Sequence, residues 1–175
     1  MLDFAVTGLA RSRTAWFAAF LTDGVSHCWH DWSAKVLDPA EYLKAAVPGK
    51  QSGISDTGFW MLGRRADKYA SRIVVIHREP EECRRSALDA FGVDMDMTAC
   101  AKALGAVPGL HIGYDDLKDT GTLSWVFEYL TGRKADANRV ELFTNLNIQT
   151  NVGDEIIRSI TDKHFISRGI KQCLQ

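Results

Sequence analysis

The sequence predicts an α/β fold, a three-layer arrangement with a central, mainly parallel sheet of about four or five strands flanked by helices and a helical C-terminal third. Three observations predict it. Four short apolar runs read as strands: Asp3 to Thr7, Val25 to His30, Arg72 to His77 and Leu110 to Tyr114. Helical patterns occupy the intervals, as parallel crossovers require. Further helical patterns dominate the second half, at about 96 to 106, 120 to 131, 137 to 146 and 152 to 165.

Each element has local support. The first strand enters a turn, Thr7-Gly8-Leu9-Ala10-Arg11-Ser12-Arg13-Thr14, and Ala15 to Leu21 after it is helical in composition. Asp38-Pro39-Ala40-Glu41 supplies an N-cap, a first-turn proline and a first-turn carboxylate, and Val47-Pro48-Gly49 closes that helix. Ser55 or Asp56 caps a predicted helix through Phe59, Met61 and Leu62 to about Tyr69, which feeds the strand Arg72-Ile73-Val74-Val75-Ile76. Pro80 opens the next helix, Glu81 and Glu82 suit its positive end, and Gly92 stops it.

At 175 residues, with 46% hydrophobic and 25% charged, the chain reads as one soluble unit, residues 1–175. No stretch approaches the roughly 20 apolar residues of a membrane span. The start lacks the basic head and apolar body of a secretory signal, so a cytoplasmic location is expected. Cys28, Cys83, Cys100 and Cys173 are widely spaced, and only His27-Cys28-x-His30 suggests metal spacing. Adjacent strand residues face opposite ways, so His27 and Cys28 are poorly placed to grip one metal. With 21 basic and 22 acidic residues the net charge is −1, which predicts no nucleic-acid partner and makes any anion site local.

The first turn is such a site. A strand, a glycine-containing turn rich in Arg, Ser and Thr, and a helix together form an anion cradle, since backbone N–H groups and the helix dipole favour phosphate or sulfate there. Hydroxyl and guanidinium groups add donors. It is not the nucleotide-kinase loop GxxxxGK[ST], because Arg13 and Thr14 stand where Gly and Lys are required. No GxGxxG is present either.

Ala10-Arg11-Ser12-Arg13-Thr14-Ala15-Trp16 resembles the 5′-phosphosulfate loop of the sulfotransferases, PKSGTTW or PRSGTT. The resemblance implies a P-loop-type fold and binding of 3′-phosphoadenosine 5′-phosphosulfate (PAPS). It places Arg11 at the bridging oxygen, Ser12, Thr14 and Ala15 on phosphate, and Trp16 where some members stack adenine. Two departures stand out: Ala10 replaces the family's proline, and Arg13 replaces its glycine. A second motif is similar to the family's as well. Ile73 to His77 leads into Arg78-x-Pro80, and Ser86 follows Arg78 by eight positions inside the next helix. The resemblance implies that Arg78 and Ser86 hold the 3′-phosphate. The two motifs keep the family's order, about 65 residues apart. Weaker echoes are Ser55-Asp56-Thr57-Gly58 and Ile112-Gly113-Tyr114-Asp115-Asp116-Leu117. The RKGxxGDWKN-like C-terminal segment of many eukaryotic members is not present; Ser167-Arg168-Gly169 is at most a fragment of it, with Arg168 a further 3′-phosphate candidate.

The chemistry so implied is in-line sulfuryl transfer from PAPS to an acceptor hydroxyl or amine. Donors at the departing bridging oxygen lower the barrier. Arg11 and Arg13 fill that role, so no metal is expected. The base candidates are His30 and Asp31 at the end of the second strand, with His27 nearby; His30 suits base work near neutral pH. The acceptor region is expected from Trp29 to Lys50 together with parts of the helical C-terminus, with Trp29 and Trp32 lining an apolar slot. Two other readings are open: an ATP/Mg²⁺ phosphotransferase with Asp115 or Asp116 on the metal side, which the missing lysine disfavours, and a non-catalytic adenine-nucleotide-binding module.

Overall fold

In the computed structural model, which describes residues 1–34, 39–92, 94 and 96–146, five strands form one all-parallel sheet. They are β1 (Phe4–Gly8), β2 (Ser26–His30), β3 (Gln51–Asp56), β4 (Ile73–His77) and β5 (Leu110–Gly113), ordered β2-β3-β1-β4-β5. The helices are α1 (Thr14–Leu21), α2 (Pro80–Phe91), α3 (Met97–Leu104), α4 (Thr120–Thr131) and α5 (Ala137–Asn145). The expected helix at 152 to 165, Arg168 and Cys173 lie outside the described residues.

Alternation along the central strands divides the core. Phe4, Val6, Val74 and Ile76 pack on one face with Trp16, Phe17 and Phe20 of α1, Leu123 and Phe127 of α4 and Phe143 of α5. Ala5, Ile73 and Val75 pack on the other with Cys83 and Ala87 of α2 and Met97 and Leu104 of α3. This is a three-layer α/β fold. Strands covered on both faces read as unbroken apolar runs, which is why β1 and β4 are legible in the sequence.

β3 corrects the sequence reading. Gln51-Ser52-Gly53-Ile54-Ser55-Asp56 has one large apolar side chain, and Ser55 and Asp56, expected as a helix cap, end the strand. Polar residues survive here because each has a partner: the Ser55 hydroxyl donates to the Thr14 carbonyl at 2.7 Å, and Ser52 exchanges bonds with the backbone at Val47. Gly53 is required by packing, since a Cβ there would lie 2.1 Å from the Phe4 ring. The helix expected after Ser55 is a 3-10 segment, Phe59–Lys68, interrupted at Gly63 (φ 53°, ψ −133°). The one expected from Asp38, itself outside the described residues, is likewise a 3-10 segment, Pro39–Ala45. Elsewhere the signals agree: Gly92 ends α2 in a left-handed conformation, φ 67°.

Connections from β1 run to the β2 side and those from β4 to β5, so they diverge between two neighbouring strands. Their carboxyl ends therefore flank a topological switch point, where open parallel sheets leave a crevice. No helix among the described residues is long and apolar enough to cross a membrane.

Candidate functional site

The turn after β1 and the end of β4 meet at that switch point. Arg11 and Arg13 adopt φ 70° and 65°, in the left-handed region that favours glycine. Arg13 occupies the N-cap of α1 without a side-chain cap, so the first-turn N–H groups of α1 are not closed off by a capping side chain. Left-handed residues on either side of Ser12 curl the backbone into a concavity suited to an anion. The turn is held from below by the bond from Ser12 N to the Leu9 carbonyl at 3.1 Å and the one from Ser55 Oγ to the Thr14 carbonyl.

The two sequence motifs are joined directly. Arg11 Nε donates to Ser86 Oγ at 3.0 Å, across 75 positions of sequence, and Arg78 Nη1 donates to the Arg11 carbonyl at 2.7 Å. Arg78 also pairs with exposed Glu82 at 3.3 Å, one helical turn into α2. Tyr114, just beyond β5, is the common platform: the Arg78 and Arg13 guanidinium carbons lie 4.4 and 5.0 Å from its ring centroid. Arg13 Nη1 further donates to the Leu117 carbonyl at 3.3 Å. Burial, followed by the nearby charge of Arg78, lowers the pKa of Arg11. Positive charge is thus concentrated where an anion would relieve it.

Trp16 corrects the expectation of an adenine platform. It is 1% exposed, its indole N–H donates to the Phe143 carbonyl at 3.1 Å, and Phe17, Phe20 and Phe143 surround it. As the third residue of α1 it faces the sheet, so the helix cannot present it to a ligand. The side chains of Ser12 and Thr14 are also buried, and Ser12 Oγ sits 3.7 Å from Cys83 Sγ. What Ser12, Thr14 and Ala15 offer a phosphate is therefore backbone.

The base candidates end β2, two strand positions from β1, or about 10 Å at the usual spacing. His30 Nε2 lies 3.2 Å from Asp31 Oδ2. Asp31, at φ 43°, also accepts from Thr57 N and Oγ1 through Oδ1, at 3.0 and 3.1 Å. His27 packs edge-on against Trp29, and burial, then Lys50, lowers its pKa to about 4. Trp29 and Trp32 are fixed by indole bonds to the Ala45 and Glu41 carbonyls.

Sequence reasoning missed two residues here. Tyr114 was visible only as part of a Tyr-acid-x-Leu echo. Asp56, taken for a cap, is fully buried between β1 and the 31–34 turn, and accepts from Ser33 N, Ser33 Oγ and Gly58 N, each at 2.6 Å. Burial raises its pKa against these bonds. It ties the 31–34 turn to the loop after β3. Asp115 and Asp116 are engaged elsewhere, on Lys118 Nζ at 2.6 Å and Gly113 N at 3.0 Å. No family model, curated protein or solved structure matches the chain.

Proposed function

We propose that this chain is a PAPS-dependent sulfotransferase that moves a sulfuryl group to an acceptor hydroxyl or amine. The observation that carries the reading is the direct link between Arg11 and the Arg78/Ser86 pair. Two segments that resemble the 5′- and 3′-phosphate motifs of one family come together at the carboxyl edge of a parallel sheet.

In this reading the 5′-phosphosulfate lies over the start of α1, facing the N–H groups of its first turn. Arg11 donates to the bridging oxygen, and Arg13 adds positive charge from beside Tyr114. Arg78 and Ser86 take the 3′-phosphate; Ser86 Oγ accepts from Arg11 and keeps its own proton to donate. The acceptor oxygen or nitrogen attacks sulfur in line. As its bond to sulfur forms, the sulfur–oxygen bond to the nucleotide breaks, and the electron pair leaves on the 5′-phosphate oxygen of adenosine 3′,5′-bisphosphate. Arg11 stabilises that charge as it grows. The acceptor proton passes to the His30–Asp31 pair, joined at 3.2 Å from Nε2 to Oδ2; His30 Nδ1 is buried and does not face an acceptor.

The test is thermal unfolding with adenosine 3′,5′-bisphosphate, ADP, and ATP plus Mg²⁺ in parallel. At a hundred times its dissociation constant the true ligand adds about 2.7 kcal/mol of stability. A shift with the bisphosphate that ADP does not match is expected. A shift confined to ATP with Mg²⁺ would transfer the protein to the phosphotransferases, and PAPS binding without sulfate transfer to any acceptor would reduce it to a binding module.

A further inference from the structure

Outside the arginine cluster, two histidines converge on the sheet surface. β4 and β5 pair with Val75 opposite His111 and His77 opposite Gly113, so His77 and His111 are diagonal neighbours on one face. His77 Nε2 lies 2.7 Å from His111 Nδ1, and the rings stack with centroids 4.9 Å apart and planes at 21°. The other ring nitrogen of His111, Nε2, is 2.9 Å from the Val107 carbonyl. A carbonyl only accepts, so in the neutral ring Nε2 carries the proton and Nδ1 turns a lone pair toward His77. The hydrogen between the rings then belongs to His77 Nε2, and two imidazole nitrogens share one point through it.

We propose that His77 and His111 form a binding site for a divalent transition-metal ion of borderline softness, Zn²⁺, Ni²⁺ or Cu²⁺, which replaces that shared proton. Tetrahedral zinc with Zn–N bonds of about 2.0–2.1 Å holds two nitrogens about 3.3 Å apart. The rings need only part by about 0.6 Å from their 2.7 Å contact, which exposed His111 and half-buried His77 can supply, with the His77 proton moving to Nδ1. The Val107 carbonyl already provides the outer hydrogen bond that orients a ligating imidazole. Among the described residues no cluster of three His, Cys, Asp or Glu side chains forms a fuller metal cage. Nitrogen donors select against Mg²⁺ and Ca²⁺. His77 adjoins Arg78 in the chain, but neither histidine has a part in the proposed transfer chemistry, and the metal site stands or falls without it.

The experiment is calorimetric titration of untagged full-length protein with Zn²⁺ at pH 7.5, beside His77→Gln, His111→Gln and, as a control, His27→Gln. The wild type and the control should bind Zn²⁺ alike, and each of the first two variants should lose at least about tenfold in affinity. In wild-type protein the imidazole Cε1–H resonances of His77 and His111 should shift on adding Zn²⁺, which needs no variant to fold. Absence of Zn²⁺ binding, binding that survives both substitutions, or Zn²⁺-induced shifts confined to other histidines would overturn the proposal.

Discussion

Arg13 stands where the resembled loop carries glycine, and its backbone has kept the conformation that glycine favours, φ 65°. The perturbation that isolates this cost is a pair of substitutions, Arg13→Gly and Arg13→Ala. Both remove the guanidinium and with it the bond to the Leu117 carbonyl and the contacts with Tyr114 and Trp16, so those losses cancel between them. What differs is Cβ. A left-handed L-residue costs roughly 1–2 kcal/mol, whereas glycine gives back about 0.4–1 kcal/mol through the greater freedom of its unfolded chain. The net is about 1 kcal/mol in favour of the glycine variant, or about 2–4 °C in Tm for a chain of this size. Differential scanning calorimetry of the two variants side by side measures it. If the alanine variant proves as stable as the glycine variant, or more so, the turn is not held left-handed and the concavity drawn from Arg11 and Arg13 fails with it.

Three further predictions follow from particular contacts. Ser86→Ala and Arg78→Ala each remove a charge-assisted partner worth about 1.5–3 kcal/mol, so affinity for adenosine 3′,5′-bisphosphate should fall roughly 10- to 150-fold while AMP loses much less; equal losses for both nucleotides would sink the 3′-phosphate assignment. His27 has its pKa lowered to about 4, so between that value and an unfolded pKa near 6.5 the unfolded chain binds more protons. Stability should therefore be level above pH 6.5 and decline as pH falls toward 4, by up to about 3 kcal/mol from this group, and His27→Gln should flatten that part of a urea-midpoint profile. Arg139, 8% exposed, donates to the carbonyls of Ala19, Phe20 and Thr22 at the end of α1. Arg139→Ala strands these buried acceptors and should cost about 3 kcal/mol or more, read as a drop in urea midpoint at constant slope; a loss below 1 kcal/mol would mean that water replaces the guanidinium.

Of the four strands legible in the sequence, β1 and β4 are those whose side chains alone report burial, through Phe4 to Val6 and Ile73 to Ile76. β3 escaped because its burial depends on partners far along the chain, such as the Thr14 carbonyl for Ser55 and the Ser33 groups for Asp56. Trp16 shows the opposite failure. A motif position suggested a ligand platform, but helical phase turns that ring into the core, and only the packed helix reveals its phase relative to the sheet. His77 and His111 carried no mutual signal either, since their meeting depends on the β4–β5 register. By itself the sequence determined the alternation of strand and helix and a basic, hydroxyl-rich turn at the end of β1, because these follow from local composition and spacing. Tertiary structure alone decided that Arg11 reaches Ser86, that Arg78 grips the Arg11 carbonyl and that Tyr114 carries two arginines. Those contacts join segments 36 to 101 positions apart, brought together by strand order, which no local pattern encodes.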